Sequence, residues 1–191
     1  MRFLLAFLLL AGCSTMDRVE PGRTTIKDEL SVTADARWNR IEGGRDGAEV
    51  WTADGTPLDV LAFYVGVAEG ETLGAAPSEF APRFRTTMSP HDIVELYEAL
   101  VTQEGSEFRL ERLGPAGFGG RPGFVFEHTT VMREGPALSG IAYGTVAGGR
   151  LYLLSYTAPR RYFFEKNLDQ VRSIAASALI TSRENEACAS P

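Results

Sequence analysis

A pair of glycines, Gly148-Gly149, divides two long runs rich in β-branched and aromatic residues, 139–147 and 150–157. A two-residue glycine link has the length and the positive-φ freedom of a tight hairpin turn, so the two runs pair antiparallel. Two more runs of the same character precede them, at 107–113 and 123–131. Together they predict an antiparallel meander. After Pro159 the period changes. Phe164, Leu168, Val171, Ile174, Ala175, Ala178 and Leu179 fall on one helical stripe, which predicts a closing helix against the sheet.

A second helix is announced at Ser89-Pro90-His91-Asp92. Ser89 suits the cap, Pro90 the first helical position, and Asp92 completes a capping box. Ile93, Leu96, Tyr97, Leu100 and Val101 then share one face, and Gly105 is the natural stop. Upstream, 48–52 alternates, Asp54-Gly55 signals a turn, and 58–67 returns as a strand apolar on both faces. Such a strand must be covered on both sides. Residues 68–88 show no period and predict a long loop pinned by Phe80 and Phe84. The expected class is α+β: an antiparallel sheet of about six strands covered by helices, an α/β/α sandwich.

At the other end of the chain, Arg2 precedes an unbroken apolar stretch, 3–10, followed by Ala11-Gly12-Cys13. Eight to ten apolar residues reach only ~15 Å as a helix, about half a hydrocarbon core, so the stretch is too short to span. Charge, apolar run and small residues follow the plan of a cleaved export signal. Leu10-Ala11-Gly12-Cys13 also resembles the lipobox of bacterial lipoproteins. That resemblance implies a diacylglycerol on the Cys13 sulfur, cleavage before Cys13, and anchoring to the lipid bilayer. Ser14, where enterobacterial inner-membrane lipoproteins carry aspartate, implies the outer membrane facing the periplasm in a Gram-negative source. Otherwise the place is the outer face of the plasma membrane.

The expected organisation is a signal peptide at 1–12, a flexible tether at 13–29 with a helical turn around 24–30, one domain at 30–181, and a disordered tail at 182–191. The net charge is −6, and cleavage before Cys13 would make it −7 by removing Arg2. That balance disfavours a nucleic-acid partner. Cys188 sits in the tail, where a leftover thiol is either incidental or pairs between chains.

From Trp38 onward the chain resembles the PsbP-like domain of thylakoid-lumen proteins and bacterial envelope lipoproteins. The resemblance rests on the early tryptophan, the Asp54-Gly55 hairpin, the Ser89-Pro90 helix start and the closing run LYLLSYTAPRRYFFEKNLDQVRSIAASALI. It implies a non-catalytic binding or assembly role with an envelope protein partner, and transfers no functional residue.

Motifs that carry chemistry are missing. The sequence contains no G-x-x-x-x-G-K-[ST], H-E-x-x-H, C-x-x-C or G-x-S-x-G. The expectation is therefore no enzyme and no cofactor. The glycine-rich 114–123 precedes a strand instead of a helix, so it reads as a bent strand connection and not a phosphate cradle. His91 and His128 are the only histidines. A metal site would need both plus a carboxylate such as Glu127, and a hydrolase would need one of them beside a nucleophile in a cleft. Tyr64, Tyr143, Tyr152 and Tyr156 either pack in the core or line an apolar ligand pocket, which would make the protein a carrier using space under the 68–88 loop. Arg160-Arg161 opens the last helix against its macrodipole, which marks a surface contact or a solvated pair.

Overall fold

The computed structural model describes residues 16–45, 47–74, 81–102, 105–133 and 135–181. In chain order the elements are β1 (Met16–Val19), β2 (Gly22–Ile26), β3 (Leu30–Ala34), β4 (Trp38–Arg45), β5 (Ala48–Thr52) and β6 (Val60–Val67). Then come α1 (Pro90–Val101), β7 (Glu107–Phe118), β8 (Arg121–Val131), β9 (Ala137–Ala147), β10 (Arg150–Pro159), α2 (Phe163–Ser177) and the short β11 (Leu179–Ile180). Eight strands make one antiparallel sheet in the order β1-β4-β5-β6-β10-β9-β8-β7, and β11-β3-β2 make a small second sheet. The expected α+β class holds. The expected count of about six strands is corrected to eight plus three.

The sheet has two buried faces. Leu61, Phe63 and Val65 of β6 enter one core with Leu154 and Tyr156 of β10, the small sheet and α2. Ala62 and Tyr64 enter the other with Leu153, Phe124, Phe126 and α1. Each helix thus covers one face, as the doubly apolar β6 requires. Leu168, Val171 and Ile174 of α2 are buried, and each such side chain contributes roughly 1.5–3 kcal/mol. That total exceeds the ~0.3–1 kcal/mol by which a cation at a helix start disfavours it. Packing therefore decides that α2 forms, despite Arg160 and Arg161.

The capping box of α1 is made. Asp92 N donates to Ser89 Oγ at 3.3 Å, and Ser89 N donates to Asp92 Oδ2 at 2.7 Å. These bonds, the backbone one foremost, hold the Asp92 carboxyl below the ordinary carboxylate range.

Three expectations are corrected. The segment read as a tether is a pair of strands from Met16 onward, since β1 pairs with β4 (Val19↔Trp38) and β2 with β3. The helical turn expected around 24–30 is the β2–β3 hairpin. Val19 is the buried anchor of β1 and Ile26 that of β2, one described apolar side chain per strand, too few to register as a period. The glycine-rich 114–120 does not end β7 early. β7 runs to Phe118, and Gly119-Gly120 turn with φ +65° and +73°. Pro115 is tolerated because β7 is the edge strand of its sheet among the described residues. In the 68–88 stretch, Phe84 is buried and Thr72 bridges Arg83. Phe80 lies outside the described residues, as do Leu10 to Cys13 and Cys188.

Candidate functional site

His128 is a core residue, 1 % exposed. Its ring stacks on Phe108 at 4.9 Å and meets Tyr97 edge-on at 5.2 Å. Nδ1 lies 3.2 Å from Thr130 Oγ1, and Nε2 has no hydrogen-bond partner among the described residues. Burial lowers its pKa to about 4, so the ring is neutral at pH 7. The strand alternation sends Glu127 to the opposite face, where it accepts from Arg112 at 2.8 Å. His91 is exposed on the first turn of α1, 3.5 Å from Glu95. Neither histidine hydrogen-bonds a serine among the described residues. Among the described residues, no three His, Cys, Asp or Glu gather as a metal site.

The four tyrosines do not line one pocket. Tyr64 lies on the α1 face. Tyr152 and Tyr156 lie on the α2 face, and Tyr143 packs against that core. Tyr156 OH donates to the Phe163 carbonyl at 3.0 Å and its ring stacks on Phe164. Tyr152 OH donates to Glu29 at 2.9 Å, fastening the small sheet to the large one. Burial, helped by that carboxylate, pushes the Tyr152 phenol up to about 12. A cavity of about 340 Å³ does lie beside the 68–88 stretch, walled by Tyr64, Val65, Val67, Lys27, Glu71 and Thr72. Its lining is mixed in polarity.

The sheet register brings a different group of residues together. Thr157 pairs with Val60, Pro159 with Leu138, and Val131 with Ala137. The start of β6, the end of β10, the start of β9 and the end of β8 therefore share one end of the sheet. Among the described residues, five large apolar side chains are exposed: Leu58, Val131, Met132, Tyr162 and Leu179. All but Leu179 are at this end. Arg160 and Arg161 stand there too, exposed, and neither guanidinium pairs with a carboxylate among the described residues.

Tyr162 is the centre of this end, 70 % exposed. Its backbone sits at φ 75° and ψ −60°, and Phe163 N donates to the Arg161 carbonyl at 3.1 Å. This is a γ-turn of the rare positive-φ kind, strained for any residue with a Cβ. Sequence reading found the two arginines. It missed Tyr162, Leu58, Val131 and Met132, because their exposure follows from the register of four strands.

The two-faced antiparallel sheet with one helix on each side defines a PsbP-like α+β domain. No protein-family model matches the chain, and no curated protein matches it in sequence. Among solved structures it is similar to cyanobacterial PsbP (CyanoP) from Synechocystis sp. PCC 6803, at 12 % identity and TM-score 0.57, over 93 % of this chain and 99 % of that one. More distant matches are LpqN of Mycobacterium tuberculosis, a protein involved in cell envelope biogenesis, and PA94 of Pseudomonas aeruginosa, a protein of unknown function. LpqN matches at 10 % identity and TM-score 0.36, over 91 % of this chain and 88 % of that one. PA94 matches at 10 % identity and TM-score 0.39, over 81 % of this chain and 95 % of that one.

Proposed function

We propose that this chain is a cell-envelope lipoprotein with a non-catalytic binding or assembly-accessory role at the membrane face. The observation that carries the reading is Leu10-Ala11-Gly12-Cys13 behind a short charged and apolar leader. Acylated Cys13 joins the domain to the bilayer, and an envelope protein is its partner. Each buried methylene of the anchor contributes ~0.8 kcal/mol, so two or three chains hold firmly where one is marginal. The PsbP-like fold supports a domain built for binding. Cell fractionation of the full chain tests the reading. Wild type pellets with membranes, and Cys13→Ser moves to the soluble fraction. Cys13→Ser that stays with membranes overturns it.

A second reading, a carrier of a small apolar ligand, draws on the cavity beside Tyr64 and Val67. Lys27, Glu71 and Thr72 in its wall weigh against a purely apolar guest. Solvent extraction of purified protein followed by mass spectrometry separates the two: a stoichiometric lipid or small molecule favours the carrier.

A further inference from the structure

We propose that the sheet end centred on Tyr162 is the docking surface for a second envelope protein. The partner presents carboxylates beside an apolar side chain. The proposal rests on the lipoprotein reading for its orientation.

Three observations carry it. The first is composition. Four of the five exposed large apolar side chains among the described residues share this end, with Arg160, Arg161 and Arg133 around them. A chain of net charge −6 has placed next to its exposed apolar groups cations that pair with no carboxylate among the described residues. Aromatic and arginine side chains together are the composition of binding hot spots, and guanidinium matches carboxylate in fork geometry.

The second is strain. Tyr162 holds a conformation natural to glycine, yet its ring meets only the edge of Phe163, at 5.2 Å, among the aromatic rings described, and stays 70 % exposed. Backbone strain of this kind collects at active sites, ligand clamps and switch regions. The tyrosine contributes little burial in return for its backbone, so fold stability does not account for it. A partner that covers the ring does.

The third is direction. In β1, Met16 pairs with Ile41 and Val19 with Trp38. Trp38 belongs to the Tyr162 end, because Asn39 pairs with Thr52, the residue that enters the turn to Leu58. The chain thus enters the sheet at Met16 already heading toward Tyr162. Ile41 shares a register line with Val50, Ala62 and Ser155, and Pro159 lies four residues beyond Ser155, about 13 Å further along the strands. Cys13 precedes Met16 by three residues, at most about 11 Å of extended chain. An anchor within that reach of Met16 would lie short of the Tyr162 end, which stands further along the strands. That geometry favours a protein over the lipid surface as the occupant.

The test uses the full chain in its own cells with a photo-crosslinking p-benzoylphenylalanine at Leu58, and at Glu71 as the opposite-end control. The expected result is a discrete protein adduct from Leu58 and none of that mass from Glu71. Peptide mapping places the adduct in an acidic segment of a different protein. Arg160→Glu with Arg161→Glu lowers the adduct at least tenfold. Tyr162→Gly lowers it as far without lowering the melting temperature, because glycine accepts the turn. A purely structural Tyr162 gives the reverse pattern. An adduct with phospholipid, an adduct with a second copy of this chain, or no adduct overturns the proposal. Fractionation is read in the same cells. Lost adduct with Cys13-dependent pelleting overturns the docking surface alone. Retained adduct with Cys13-independent pelleting overturns the lipoprotein reading alone.

Discussion

His128 lies flat on Gly140, its register partner on the neighbouring strand. A Cβ at residue 140 would fall 2.0 Å from His128 Nε2 and 2.3 Å from Cε1. Phe124 and Gly144, four residues further along the same two strands, repeat the arrangement, with a Cβ at 144 falling 2.5 Å from Phe124 Cζ. Glycines on β9 thus provide the floor on which β8 rings rest, and the rings cover the glycine backbone. Gly140→Ala pushes the imidazole into Tyr97 and Phe108. The expected loss is about 1–3 kcal/mol, the range of overpacked core sites, read from urea denaturation. A loss under ~0.5 kcal/mol would show that the slot is not rigid.

The same histidine sets a pH dependence. Burial holds its folded pKa near 4, against 6.5 in the unfolded chain. Between these values the unfolded chain binds a proton that the folded chain refuses. Stability from this group is therefore complete above about pH 6.5 and is lost as pH falls toward 4, on the order of 3 kcal/mol in all. Urea midpoints at pH 7.5 and pH 4.5 measure it. His128→Phe removes the titrating group and the unpartnered Nε2, so its midpoint should change distinctly less across that range.

Part of this architecture was legible and part was not. Ser89 to Asp92 declared α1 because all its start signals lie within four residues. Gly148-Gly149 declared the β9–β10 hairpin for the same reason. β1 was not legible. Of its described side chains, Asp17 and Arg18 are exposed and only Val19 is buried. What holds it is a ladder to β4, some twenty residues away in the chain. The candidate site followed the same division. Arg160 and Arg161 are visible in any linear reading. The turn at Tyr162 and the company of Leu58, Val131 and Met132 exist only once β6, β10, β9 and β8 are aligned.

Asp59 is a fully buried carboxylate that organises the β5–β6 connection. Oδ1 accepts from Thr52 Oγ1 and Asp54 N, and Oδ2 accepts from Ala53 N, each at 2.8 Å. Asp54 in turn pairs with Lys166 and accepts from Asn167 of α2. Asp59→Ala leaves buried donors without an acceptor. It should cost about 3 kcal/mol or more. Amide hydrogen exchange should show 53–59 opening first. A mild effect confined to the global midpoint would count against a turn-organising role.

Ser89→Ala removes one half of the α1 capping box and should cost about 1 kcal/mol. Because α1 covers only one face, the loss should appear as faster exchange in 89–94 while the α2 face stays protected. Equal acceleration in both helices would mean that the two faces unfold as one unit.

The early start of β1 changes how an anchored molecule would search for a partner. Sixteen residues of loose tether would let the domain tumble through every orientation above the bilayer. Three residues do not. With Cys13 in the lipid, the domain would be held at Met16 within about 11 Å of the anchor. Its collisions with other membrane-bound proteins then become encounters in two dimensions, at an effective concentration set by lateral crowding. Much of the orientational entropy of docking is surrendered once, at anchoring, and not again at each meeting. A weak contact surface is enough for a molecule held that way.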